Sequence, residues 1–301
     1  MKHTLKVTIA LVSFFFMAQF TGLLIINHYI DHKKTAESKV ISWQPLPYNL
    51  ERPEVKNQST SFIYITIAIL IGTIIVLLLI KFNKPFIWRF WFFVTVWLTL
   101  SISFAAFLNN MLAGILALIV SVLKLYKPNI IIQNLSEIFI YGGLAAIFVP
   151  MINTFAAFML LILISIYDYL AVFKTKHMIK LAKFQSSSKV FAGLLIPYEK
   201  GKISVKNVPA DKSDIKEKKA RVAVLGGGDI GFTLIFAGVV MKGLMLKETV
   251  LIGFLKTSII PIFVSLALLI LLIKGKNNKF YPAMPLLSLG CFVGYLVVLV
   301  V

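Results

Sequence analysis

Nine long apolar runs, separated by short polar breaks, organise this chain. They lie at roughly 4–27, 61–80, 85–108, 110–123, 130–149, 151–173, 221–244, 249–273 and 281–301. Most approach or exceed the about 20 apolar residues that a helix needs to cross a bilayer, and the fourth is the shortest. The first run follows Met1-Lys2-His3, as a secretory signal would, but it is too long and lacks a small-residue cleavage site, so it reads as a retained anchor. The pattern predicts an all-α membrane protein with nine transmembrane helices. Helices one to six occupy 1–173 and include an external loop at 31–60. A hydrophilic cytoplasmic loop follows at 174–220, and helices seven to nine occupy 221–301.

Composition agrees with that class. Of 301 residues, 59% are hydrophobic and 14% charged, and 25 are Phe, which is too apolar for one soluble core. The net charge of +19 would suit nucleic acid only if the basic residues formed one face. Instead they mark one side of a membrane. Lys and Arg number two at the amino terminus, three over 81–89, two over 124–127, thirteen over 174–221 and three over 274–279. With nine crossings all of these share a side. The opposite side has five in the 31–60 loop, offset by four acids, and three over 242–256. The positive-inside rule then puts the amino terminus in the cytoplasm and the carboxyl terminus outside.

Two aspartates interrupt this apolar background. Asp168 lies in LLILISIYDYLAVF and Asp229 in VAVLGGGDIGFTLIFAGVV. A carboxylate within hydrocarbon costs at least a few kcal/mol, so each marks a functional site by default. Asp168 falls about 9 Å short of the basic flank at Lys174, and Asp229 about 12 Å beyond Arg221. The two share a depth, on consecutive helices that can lie antiparallel.

Their neighbours add to this. Gly226, Gly227 and Gly228 strip side chains from nearly one turn before Asp229, so another backbone can approach and the helix can loosen there. Taken alone, the glycines suit a plain small-residue helix interface equally well. Pro282 and Pro285 open the ninth helix on the same side and keep its entry non-helical, although proline there is usually only a start signal.

Tyr167-Asp168, Gly226-Gly227-Gly228-Asp229 and Pro282-Ala283-Met284-Pro285 together resemble the YD, GxGD and PAL signatures of the presenilin and signal peptide peptidase family. The likeness covers the whole plan of the chain, and the compact layout is similar to the family's archaeal members. It implies a presenilin-like fold and an intramembrane aspartyl protease with Asp168 and Asp229 as catalytic residues. By the same resemblance Tyr167, Gly226, Gly227, Gly228, Pro282, Ala283, Met284 and Pro285 bind substrate or support the site. Met284 stands where the family usually has leucine, a mild change in shape. The cytoplasmic amino terminus is similar to that of presenilin and opposite to that of signal peptide peptidase. The implied partners are single-span transmembrane substrates and the lipid bilayer, with oligomerisation left open and no nucleic acid.

The chemistry is consistent with that resemblance. Two carboxyl groups in contact cannot both ionise cheaply, so they share a proton and titrate as a pair. A substrate helix hides its carbonyls, so cleavage requires unwinding, and the extended strand is expected to pair edge-on near the start of helix seven or around Pro282–Pro285.

Other polar residues fit less specific roles. Glu137, at a similar depth, rivals either aspartate, or else belongs to a polar patch with Gln133, Asn134 and Ser136. Lys256 can snorkel. The four histidines lack zinc-protease spacing, and Cys291 is alone, which leaves no metal or cofactor indicated. The 174–220 loop reads as a solvated segment near anionic headgroups, whose apolar island KVFAGLLIPY could instead dock on the aspartate-bearing helices. A second function class remains: a proton- or cation-coupled transporter or leak channel, with the aspartates as relay groups.

Overall fold

The computed structural model describes residues 4–55, 57–82, 84–174, 190–198, 222–275 and 281–301. Its helices are α1 (Leu5–Tyr29), α2 (His32–Ser38), α3 (Ser61–Lys81), α4 (Pro85–Ala105), α5 (Asn110–Tyr126), α6 (Ile130–Phe148), α7 (Thr154–Phe173), α8 (Gly227–Leu244), α9 (Val250–Thr257), α10 (Ile259–Lys274) and α11 (Met284–Val300). Strands β1 (Gly193–Pro197) and β2 (Val222–Gly226) form an antiparallel pair. Among the described residues, seven helical stretches are long and apolar enough to cross a membrane, counting α9 and α10 as one rod over Val250–Lys274. α5 and α11 are apolar but shorter, at 17 residues each.

Polar residues at the ends of the apolar runs determine where several helices start. Asn109, Asn129, Asn153 and Thr249 each accept a backbone N–H in the turn they precede, which satisfies a donor that the helix leaves over. In the eighth run the helix breaks at Ser258, between α9 and α10. Pro261 has no N–H to give the carbonyl four residues back, and the break falls there.

The core is built on α1, α6 and α8, which run in the same direction. Gln19 of α1 donates to the Ile230 carbonyl and to Thr233 Oγ1 at 2.9 and 2.8 Å. Glycines bring these helices close: a Cβ on Gly22 would overlap Leu234, and one on Gly238 would meet Ile26 and Val149. On the other flank, α7 and α11 pack against α8. Phe158 of α7, Phe236 of α8 and Phe292 and Tyr295 of α11 pack ring to ring, with centroids 4.9–6.2 Å apart. α7 runs opposite to α6, which it follows through the tight turn at Val149–Asn153. It is therefore antiparallel to α8.

The loop over 31–60 is folded. Arg52 donates to the carbonyls of Ala146 and Gln44 at 3.2 and 2.9 Å, and its guanidinium lies over the rings of Tyr29 and Trp43. This pins the loop onto the ends of α1 and α6.

The hydrophilic segment departs from the sequence reading at both of its described parts. The seventh apolar run does not begin as helix: Val222–Gly226 is β2, and α8 starts only at Gly227. Ala223 and Leu225 are buried while Val224 is exposed, the period-two alternation of a strand. Summed hydropathy alone cannot distinguish that run from helix. The apolar island docks as β1, chiefly against β2 and α6 rather than on the aspartate-bearing helices, with Leu194, Leu195 and Ile196 buried. Most of the 174–220 loop lies outside the described residues. Gly193 has φ of +140°, which disfavours any side chain, and a Cβ there would overlap the Leu225 carbonyl. The second edge of β1 meets α6. Asn134 exchanges two hydrogen bonds with the Leu195 backbone, at 2.9 and 2.8 Å, and Gln133 donates to the carbonyls of Phe191 and Gly193, each at 2.9 Å.

Two outcomes follow for stability. Gly143 of α6 presses on α4, where a Cβ would overlap the Thr99 carbonyl oxygen, so Gly143→Ala should destabilise the protein by about 1–3 kcal/mol in thermal unfolding. Asn134→Ala leaves two buried groups of Leu195 unpaired. Amide exchange over 193–197 should then accelerate by roughly tenfold or more while α1 and α8 keep their protection.

Candidate active site

Asp168 lies near the end of α7 and is only 7% exposed. Its Oδ2 accepts the backbone N–H of Met284 at 3.1 Å, and the Ala283 N–H also faces this carboxylate. These donors sit at the start of α11, where N–H groups have no partner within the helix. Pro282 and Pro285 flank them and carry no N–H of their own. The proline motif thus leaves two backbone donors between residues that cannot donate, and a carboxylate fills the position. Ser165, one turn earlier on α7, lies 2.9 Å from Ser288 of α11 and keeps the helices in register.

Asp229 is the third residue of α8 and half-buried, in the first turn where the helix dipole favours an acid. Its carboxylate folds back toward Gly226, where a Cβ would stand 3.5 Å from Oδ2. Gly226 has φ −66° and ψ 146°, an extended geometry open to any residue, so backbone freedom does not explain the glycine. The expected loosened helix is in fact a strand-to-helix switch. Gly228 is exposed, which leaves that backbone open to an approaching chain. Gly227 abuts Tyr141 of α6.

Lys242 fixes the relative depth of the two acids. It is buried and donates to the Val149 carbonyl at 2.9 Å, which aligns the far end of α8 with the turn that starts α7. From Thr154 to Asp168, and from Lys242 back to Asp229, the helix rise is about 20 Å in each case. The aspartates therefore stand at one level along packed antiparallel helices.

Tyr167 points its hydroxyl to Thr73 of α3, at 3.1 Å. Glu137 is buried and paired with Lys124, their atoms 2.6 Å apart. Gln133, Asn134 and Ser136, read as a patch, are fully enclosed and hold β1 or this ion pair. Cys291 is buried in the core. Among the described residues no three His, Cys, Asp or Glu side chains converge.

The sequence reading missed Tyr141 and Lys124. The spacing of Gln133, Glu137 and Tyr141, each four residues apart, was the available signal for a polar stripe on one face of α6. Beside this stripe is a largely apolar cavity of about 330 Å³, between α3, α4 and α6, whose walls include Val76, Trp91, Val96, Tyr141 and Ala192.

Comparison with known proteins bears on this arrangement. The family described as signal-peptide peptidase, presenilin aspartyl protease matches residues 47–301. The chain is similar to a presenilin family intramembrane aspartate protease solved in space group C222, with TM-score 0.58 and 19% identity over 96% of this chain and 98% of that one. Against a structure of such a protease in space group P2 the values are 0.56 and 17%, over 97% and 96%. At these identities the likeness is one of fold. No curated protein matches the sequence. Since the family match runs from residue 47 through both aspartate-bearing helices to the last residue, the chain belongs to the signal-peptide peptidase and presenilin aspartyl protease family.

Proposed function

We propose that the protein is an intramembrane aspartyl endopeptidase of the GxGD type, cleaving peptide bonds within the transmembrane segments of single-span proteins. One observation carries the reading: two carboxylates, Asp168 and Asp229, share one depth on opposed helices, beside a strand whose second edge pairs with nothing among the described residues. One carboxylate takes a proton from water as the oxygen attacks the scissile carbonyl. The protonated partner polarises that carbonyl and then gives its proton to the departing amine.

A substrate helix must first expose its carbonyls, and in hydrocarbon the freed groups need new partners. The edge of β2 supplies them, so the substrate adds as a strand, with exposed Gly228 leaving room and the neighbouring apolar cavity receiving a side chain. The described spans fit nine crossings if α5, the α9–α10 rod and α11 each traverse the bilayer, with the amino terminus cytoplasmic and the carboxyl terminus outside.

Purified protein in bilayers should cut a single-span model substrate. Asp168→Asn, which keeps an acceptor for the Met284 N–H, and Asp229→Ala should each lower the rate by about 10²–10⁴-fold with the protein still folded. Activity surviving either change overturns the assignment, and aspartate-dependent ion flux without proteolysis identifies a transporter instead. Single prolines placed through the substrate's unwound segment should slow cleavage about tenfold at alternate positions, because each removes a ladder donor. A flat response to the proline scan rules out strand addition.

A further inference from the structure

Gln133, Glu137 and Tyr141 line up on one face of α6, and all three are buried. Lys124 Nζ lies 2.6 Å from Glu137 Oε1 and 2.8 Å from Ser136 Oγ, and Gln133 Nε2 lies 2.9 Å from the same Glu137 oxygen. The other Glu137 oxygen accepts the Tyr141 hydroxyl in a short hydrogen bond. An enclosed ion pair contributes little net stability over apolar packing, so what this one supplies is a fixed place for its partners.

The Tyr141 side chain, so held, lies against α8. A Cβ on Gly227 would overlap its phenol oxygen, and a Cβ on Gly231 would stand 3.6 Å from its Cδ1. Gly227 and Gly231 are four residues apart and share a face. Asp229, midway between them, projects about 200° round the helix from either. Tyr141 therefore backs the first turn of α8 on the side away from Asp229. The x position of the GxGD signature is glycine in this chain, and the room that a side chain would need there is taken by a phenol from α6.

We propose that Tyr141 is a positioning residue for Asp229: its hydroxyl, locked by Glu137 and Lys124, is the stop on which the first turn of α8 seats, and it sets how far Asp229 reaches toward α7. The inference rests on the protease reading above. A small displacement of a reacting group costs rate far more than it costs affinity.

The test is a kinetic cycle on the full chain in bilayers with the single-span model substrate. Tyr141→Phe keeps the ring and removes the stop, so kcat should fall about tenfold with KM within about twofold and unfolding still cooperative. Gly227→Ala should lose at least as much, because its methyl meets the hydroxyl. The double variant should recover at least roughly fivefold over Gly227→Ala alone, since the methyl occupies the vacated space. A Tyr141→Phe enzyme with wild-type kcat, or one changed only in KM, overturns the proposal, as does a double variant whose losses multiply. Should Tyr141→Phe not purify folded, Glu137→Leu with Lys124→Met removes the acceptor and so unlocks the same hydroxyl and should lower kcat several-fold, and an unchanged kcat there overturns it too. Wild-type protein that cleaves nothing brings down the protease reading with this inference, whereas variants that cleave like wild type bring down this inference alone.

Discussion

A peptide group inside a bilayer has no water to turn to, and every departure from helix at that depth must find its partners within the protein. The candidate site is arranged around this constraint. β1 gives one edge to β2 and the other to the side-chain amides of Asn134 and Gln133, so β1 lies against α6 with its carbonyls bonded and only the far edge of β2 is left open among the described residues. At α11, two N–H groups left over at the helix start are taken by Asp168. The polar groups freed by breaking helices near the aspartates are the same groups that hold the site together. Asp168 is thus a structural ligand of the α11 start as well as a candidate catalyst.

How much of this was legible in the sequence depends on the length scale of each feature. Spans of 20 apolar residues and isolated acids within them are strong signals, because hydrocarbon penalises both ambiguity and stray charge. The start of α8 was harder to read. Val222–Gly226 is apolar in composition, and only the alternating burial of Ala223 and Leu225 against Val224 marks it as strand. The break at Ser258 was foreshadowed by Pro261, but a hydropathy window runs across it. Within the site, Asp168 and Asp229 were visible as costly residues. Tyr141 was not, because a tyrosine in an apolar helix is unremarkable until its partner is known to be a glycine more than eighty positions away.

Two lysines show how a bulk rule and a local role coexist. Lys124 and Lys242 both enter the tally of basic residues along the chain, yet both are buried, one on Glu137 and the other on the Val149 carbonyl. Their ammonium groups face inward because each has a fixed acceptor, and a cation at the carbonyl end of a helix is favoured. Both lie near the ends of their helices, so a residue that enters a charge tally also fixes the local geometry.

β2 passes into α8 with no intervening loop, and the pairing of Gly193 with Gly226 fixes the last rung before the helix begins. The hairpin therefore acts as a ruler for the acid that follows it. A slip of two residues would preserve which side chains face inward while moving the strand by about 7 Å, more than a full helical turn. Gly193, held at a backbone angle that other residues resist, locks the zero of that scale, so a residue more than thirty positions upstream of Asp229 determines how far along α6 its carboxylate stands.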